Sequence, residues 1–457
     1  MTNTSRNSKN RSKPPYRRRE HAEISARLVA LRMLRRILDK GQSFDQAQLQ
    51  LADDLNQLED RDKGFARAIV LNSLRYKGQL DALAEEFLER PVTGDQGMVA
   101  HFLRVGMVQL LILDTPPHAA VGELLSLLDK TSEFAIIRKF KGLINAILGR
   151  ADREGDALLA IQNAAKLNTP AWIWDSWVRD YGEETAQAMA EANLEEAPID
   201  VSPRHLKDAE KLTDAIDLPG GGQRLPAGYH MQNVPGFSEG HWWVQDLASS
   251  LPLKIADKLI GGFDSKTTLD LCAAPGGKTM QMAAAGAKVT AVDISKPRLA
   301  RLHENLDRMG LSADIHVADV VKWKPAEQAD FVFVDAPCGA TGTMRRHPDL
   351  AHIKSQEDVD KLVATQARLL PAAWDMVKSG GYMMYAVCSL QKEEAEHQFQ
   401  SFMNSLSDGE FIAIPKNIID GVEDCITDEG LLRCRPDILA EIGGMDGFFA
   451  GLIRKKD

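Results

Sequence analysis

The stretch LDLCAAPGGKT, Leu269 to Thr279, decides the fold. An apolar, β-forming run ends in a small-residue turn with two glycines, and a lysine and a threonine follow. A strand, a glycine turn and a helix start form a nucleotide-type site at the carboxyl edge of a parallel sheet. The same rhythm continues outward. TTLDLCA, VTAVDI, ADIHVAD, DFVFVDAP and GGYMMYAVCSL read as strands, and FFAGLIRK near the end reads as one more. Helical stretches separate them, as in SKPRLARLHENLDRMG, where Leu299, Leu302, Leu306 and Met309 share one face. Strand and helix alternating over roughly 200 residues predict a parallel sheet covered on both faces.

The loop selects among ligands. Gly277, Lys278 and Thr279 match the end of a phosphate-binding GxxxxGK[ST], but Cys272 stands where its first glycine belongs. The GxGxxG dinucleotide fingerprint is absent as well. Gly276 and Gly277 permit close backbone approach to a ligand. Asp293 closes the second strand, about twenty residues past the loop, where an acid binds ribose hydroxyls. With Asp270, Asp319 and Asp335 it predicts an acid-rich rim. Such a rim repels pyrophosphate and suits a nucleoside that carries positive charge, as S-adenosylmethionine does. Helix capping is the plainer reading of any one of these acids.

At 457 residues the chain is too long for one core, and about 150 residues per domain suggests about three. No apolar run approaches a membrane span, and no secretory h-region is visible. Five cysteines without a CxxC pair argue against a disulfide framework and against zinc, so the expected setting is a reducing cytoplasm. Net charge is −10, yet residues 1–40 carry 12 Lys/Arg against 3 Asp/Glu, a local +9 that leaves −19 elsewhere. The tail RSKPPYRRRE suits sequence-blind phosphate contact, or serves only to solubilise. The expected divisions are a disordered basic tail (1–19), an all-α bundle (20–153), a small α+β connecting domain (154–235) and the α/β domain (236–457). Helical periodicity at Ile24, Leu28, Leu31, Leu34 and Leu38 marks the bundle, and LPGGGQRLPAG reads as a plain loop.

DLCAAPGGKT, DAPCGATGTMRRHPD and YAVCSLQKEEAE resemble the signature motifs of the RNA cytosine-C5 methyltransferases of the Sun/NOL1/NOP2 group. PGFSEGHWWVQDLAS and MDGFFAGLIRK resemble that family's flanking blocks. DRDKGFARAIVLNSLRY, PPHAAVGELLSLL and FKGLINAILGR are similar to NusB-like RNA-binding domains. The pairing with RRHPD looks most like the bacterial branch acting on 16S ribosomal RNA. The resemblance implies a Rossmann-like class I methyltransferase domain, S-adenosylmethionine as cofactor and ribosomal RNA as partner; a monomer is expected, with no membrane and no metal. It also implies site residues. Cys272, Ala273, Ala274, Pro275, Gly276, Gly277 and Lys278 would line the cofactor loop. Asp293 would take the ribose, Asp319 the adenine side, and Asp335 would sit between cofactor and base. Cys388 would be the nucleophile, and Cys338 would help release the product. Val387 and Gly339 depart from the family's usual Thr and Ser, and APIDVSPR lacks the expected RVN-like end.

The chemistry explains two thiols. Cytosine C5 becomes nucleophilic only after a thiolate adds to C6, and the methylated adduct must then lose a proton and the thiol. Cys425 and Cys434 are expected to be buried filler, and Cys272 loop packing. Arg345, Arg346 and His347 follow the turn and are candidates for phosphate contact. The alternatives are a catalytically idle RNA-binding module in ribosome assembly, or C5 methylation of another RNA such as tRNA or 23S rRNA. A nicotinamide or ATP enzyme is disfavoured by the missing glycines.

Overall fold

A computed structural model describes residues 24–90, 97–205, 212–229 and 231–457. The basic tail over residues 1–19 lies outside them. Helices build the first part: α1 (Ala26–Leu34), α2 (Phe44–Gln50), α3 (Ala52–Leu55), α4 (Asp60–Arg75), α5 (Lys77–Phe87), α6 (Gly97–Leu111), α7 (Pro117–Lys130) and α8 (Lys141–Ala160). Ser25 caps α1 and Ser43 forms a capping box with Gln46, which satisfies orphan N–H groups at these helix starts. α6 runs through the centre, with Val99, Phe102, Val105, Met107 and Val108 fully buried. Its Gly106 lies against α8, where an added Cβ would stand 2.4 Å from a Leu148 methyl. No strand forms among the described residues of 24–153. α8 runs through residue 153 to Ala160 without a break.

α9 (Ala164–Asn168), α10 (Ala171–Tyr181) and α11 (Glu183–Ala192) follow. Then comes an antiparallel sheet of β1 (Ile199–Pro203), β2 (Ile216–Asp217), β3 (Gln223–Leu225) and β4 (Trp242–Val244), in the order β2-β3-β1-β4. The expected loop LPGGGQRLPAG therefore contains a strand. Gly220, Gly221 and Gly222 turn the chain at positive φ, after which Gln223–Leu225 is buried and pairs with β1. β4 lies past residue 235 and is bound to β1 as well.

α12 (Leu247–Leu259) leads into the main sheet: β5 (Thr267–Leu271), α13 (Gly277–Ala284), β6 (Lys288–Asp293), α14 (Lys296–Met309), β7 (Asp314–Val317) and β8 (Ala329–Asp335). After these come α15 (Leu350–Ile353), α16 (Gln356–Trp374), β9 (Val377–Val387), α17 (Glu396–Ser405), β10 (Gly409–Ile412), β11 (Leu432–Cys434) and β12 (Phe448–Lys455). The strand order is β10-β12-β9-β8-β5-β6-β7, and β11 also pairs with β12. β9, β8, β5, β6 and β7 are parallel, as expected. β12 is antiparallel to β9 and to β10, so the sheet is mixed, not wholly parallel. β12 returns to β9 only after α17, β10 and β11 and runs antiparallel at that edge.

The helical part is docked on the sheet domain. Arg75 donates to the Arg345 carbonyl at 3.0 Å, His352 bonds the Leu74 carbonyl at 2.8 Å, and the Phe44 N–H donates to Asp349 at 2.9 Å. No helix of the described residues is long and apolar enough to cross a membrane.

Candidate active site

β8 and β9 lie side by side and in parallel, with Asp335 opposite Ala386. Their carboxyl ends carry the two thiols of interest. Cys338 sits three residues past β8 and Cys388 one residue past β9, and their Sγ atoms stand 3.5 Å apart. Backbone bonds lock the two ends. Ala336 N donates to the Ala386 carbonyl at 3.0 Å, and Gly342 N donates to the Cys388 carbonyl at 3.1 Å. Leu390 N donates to the Thr341 hydroxyl at 3.0 Å. Gly342 admits no side chain, because a Cβ there would stand 2.1 Å from the Gly447 carbonyl oxygen.

Asp335 ends β8 and holds the Lys278 ammonium at 2.7 Å. Lys278 starts in the glycine loop, and its ammonium also lies 5.1 Å from the Phe448 ring centroid. Burial opposes the lysine's charge, but Asp335 and then Cys388 outweigh it and hold its pKa above the ordinary value. The Cys338 thiol is pushed well above its usual range, chiefly by its hydrogen bond to Cys388 and by burial.

The loop itself is shaped by unusual backbone. Cys272 at φ +63° and Gly276 at φ +108° turn the chain before α13. Cys272 packs on the sheet core, and burial raises its thiol pKa. Asp293 is buried at the end of β6. Its carboxylate accepts from Ala274 N at 3.1 Å and Ser295 N at 2.8 Å, and the Arg298 guanidinium lies 3.5 Å away. Asp319 lies two residues past β7, half-buried, and accepts from Val321 N at 3.1 Å. Ala273, Pro275, Gly277, Lys278, Trp243 and Asp335 border a cavity of 380 Å³.

Two expectations need correction. Asp270 is not on the rim: it lies within β5, fully buried, and accepts from the Thr279 hydroxyl at 2.5 Å. Burial lifts its pKa to about 7. Arg345 and Arg346 are not free for phosphate. Arg345 is 2% exposed and pairs with Asp446 at 3.0 Å, while Arg346 pairs with Asp246 at 2.6 Å and Asp446 at 3.1 Å. Of that trio only His347 is exposed. Cys425 and Cys434, the latter on β11, are fully buried, as expected.

Reasoning from the sequence missed Arg298 and Glu394. Glu394 belongs to the quoted motif YAVCSLQKEEAE, and an acid six residues past a thiol was its only signal. Among the described residues no cluster of His, Cys, Asp or Glu suits a metal ion.

Comparison with known proteins accounts for both halves. The model of the 16S rRNA methyltransferase RsmB/F family matches residues 260–454, and that of the NusB family matches residues 24–153. The chain is 33% identical over 427 residues to Ribosomal RNA small subunit methyltransferase B of Cronobacter sakazakii, covering 88% of this chain and 95% of the relative. The protein of that name from Escherichia coli O1:K1 is 34% identical over 407 residues, with 84% and 91% covered. Among solved structures, PH0851 shares the fold at a TM-score of 0.71 and 21% identity, with 95% of this chain and all of that one covered. NSun6 from Pyrococcus horikoshii with SFG superposes at 0.51 and 17% identity, over 63% of this chain and 98% of that one. The expected architecture, a NusB-like bundle joined to a Rossmann-like methyltransferase domain, is thus borne out. The cofactor is S-adenosylmethionine, and the donor set fits it: carboxylates at strand ends suit ribose hydroxyls and positive charge, and the loop lacks the glycines of a phosphate site. A bundle, a sheet and 33% identity over nearly all of a curated relative agree, and the chain belongs to the RsmB/F family of 16S rRNA methyltransferases.

Proposed function

We propose that the chain methylates a cytosine of 16S rRNA at C5 through a covalent bond between Cys388 and C6. The observation that carries this reading is the thiol pair, 3.5 Å apart at the ends of adjacent parallel strands and beside Asp335. S-adenosylmethionine supplies an electrophilic methyl group when bound. Cys388 acts first as a thiolate: its electron pair forms the S–C6 bond and makes C5 nucleophilic. Asp335, held by Lys278, faces the base and orients it. After C5 has taken the methyl, a base removes the C5 proton. The pair left on C5 rebuilds the ring double bond and expels Cys388 as thiolate.

Cys338 suits that second step. While Cys388 is free, its hydrogen bond and burial keep Cys338 protonated. Once Cys388 is a thioether that hydrogen-bond contribution is gone while burial stays, and the Cys338 sulfur stands beside the adduct as the candidate base. The cofactor reading assigns residues 272–278, Asp293 and Asp319 to binding, with Asp293 on the ribose. The NusB match supports giving residues 20–153 to RNA docking, and residues 236–457 then carry the chemistry.

Two substitutions test the roles against unmodified 16S RNA on denaturing gels. Cys388→Ala is expected to be inactive and leave RNA unattached. Cys338→Ala is expected to hold RNA covalently, because the adduct forms and stalls. The reverse pattern would exchange the two assignments. Bisulfite sequencing of rRNA from a strain lacking the protein locates the cytosine, and full methylation there would sink the reading.

A further inference from the structure

Both thiols are followed at once by a residue that bonds the same side chain. Gly339 N, next to Cys338, donates to both carboxylate oxygens of Glu394, at 2.8 and 3.0 Å. Ser389, next to Cys388, donates its hydroxyl to Glu394 at 2.6 Å. Gln366 of α16 donates to the same carboxylate at 3.3 Å and to the Pro337 carbonyl at 2.9 Å. The Tyr385 hydroxyl donates to the Glu394 backbone carbonyl. Glu394 is fully buried. A buried carboxylate is costly unless its lone pairs are filled, and here donors from two loops and a helix fill them. Burial raises its pKa, opposed by the bonds from Ser389, Gly339 and Gln366. Gly339 also explains why a small residue stands after Cys338: an added Cβ would come within 3.1 Å of Glu394 and 3.3 Å of Val359.

We propose that Glu394 is a positioning residue that clamps the Cys338 and Cys388 loops together and so sets the distance between the two thiols. Its side chain is fully buried, out of reach of base and cofactor. Its functional meaning rests on the two-thiol chemistry proposed above, but the distance it controls is measurable without RNA. Two thiols and one oxidised glutathione give an internal disulfide and two reduced glutathiones. The equilibrium constant of that exchange reports how well the thiols are held within reach, since the sulfurs must close from 3.5 Å to a bond of about 2.05 Å.

The experiment equilibrates the full chain in glutathione buffers and quantifies the Cys338–Cys388 disulfide by peptide mass spectrometry. S-adenosylmethionine affinity and turnover on 16S RNA are measured alongside. For Glu394→Ala the exchange constant is expected to fall about tenfold, the scale of lost buried hydrogen bonds, and kcat to fall with cofactor affinity unchanged. Glu394→Gln keeps one acceptor oxygen, and its amide can donate to a reversed Ser389 hydroxyl, so it is expected to recover most of the loss. Ser389→Ala removes one link and is expected to fall in between. A general loss of structure would instead lower cofactor affinity and melting temperature together, with no recovery in the glutamine variant. A wild-type exchange constant in folded Glu394→Ala overturns the proposal. If that variant does not fold, wild-type constants in both Glu394→Gln and Ser389→Ala overturn it. Failure of the C5 reading shows separately: Cys338→Ala would then hold no RNA covalently, while the exchange constants of the Glu394 and Ser389 variants would still decide the clamp.

Discussion

Asp270 shows how burial changes what an acid is. Its carboxylate sits in β5 with one oxygen on the Thr279 hydroxyl and the other, among the described atoms, without a hydrogen-bond partner. Burial, with Asp335 and Asp293 adding repulsion, lifts its pKa to about 7. The folded value lies above the unfolded ~3.9, so the neutral form favours folding. Its contribution is complete below the unfolded pKa and is lost as pH rises through about 7. Asp270→Asn removes this titration and keeps an acceptor for Thr279. Denaturant unfolding at pH 5 and pH 8 is expected to show the variant gaining about 2 kcal/mol on wild type between the two. Equal differences at both pH values would mean that Asp270 ionises freely in the fold.

At the scale of elements, the turn after β8 is held by charge. Arg345 and Arg346 reach Asp246 at the start of α12 and Asp446 just before β12. Arg346 also donates to the Pro198 carbonyl at 2.9 Å, one residue before β1. Beside them Arg224 of β3 pairs with buried Asp200 of β1 at 2.6 Å and donates to the Ile442 carbonyl at 2.8 Å. The cluster therefore ties the small antiparallel sheet to the turn after β8. Burial lifts Asp446 to about 6 despite the arginines. Arg346→Ala leaves two buried carboxylates short of a partner and is expected to cost about 3–5 kcal/mol, read by chemical denaturation. A change below about 1 kcal/mol would class the pair with solvated surface bridges.

Across the whole molecule, His352 on α15 joins the methyltransferase domain to the helical bundle through the Leu74 carbonyl. Burial lowers its pKa to about 4, and Lys77 and Arg104 nearby lower it further against Asp81. The folded value lies below the unfolded ~6.5, so this contribution is present above ~6.5 and is lost as pH falls through about 4. His352→Gln keeps a donor for Leu74 and does not titrate. Its melting temperature is expected to change less between pH 7 and pH 4.5 than that of wild type. An identical acid loss in both proteins would remove His352 from the interface's pH response.

The sequence by itself determined the order of β5 to β9 and β12 and the helical character of the bundle, because periodicity is local. The strand-end residues Asp293, Asp335, Cys338 and Cys388 were legible because a parallel sheet delivers strand ends to one edge. The resemblance of long motifs then named the family. What the tertiary structure alone decided is pairing. Asp270 and Asp335 both close a strand-like run, yet one is fully buried and the other meets Lys278, since depth depends on which helices cover the edge. Arg345 and Arg346 read as phosphate ligands until Asp246 and Asp446, about 100 residues away on either side, took them. β3 hid in a glycine-rich run because its pairing energy comes from β1 and not from its own residues. Glu394's only local signal was its place in the motif after Cys388, and its role stayed hidden because its donors at Gly339, Gln366 and Ser389 meet only when β8, β9 and α16 pack. A linear motif specifies which groups are present. The distances that turn them into a site are set by contacts between segments far apart in the chain.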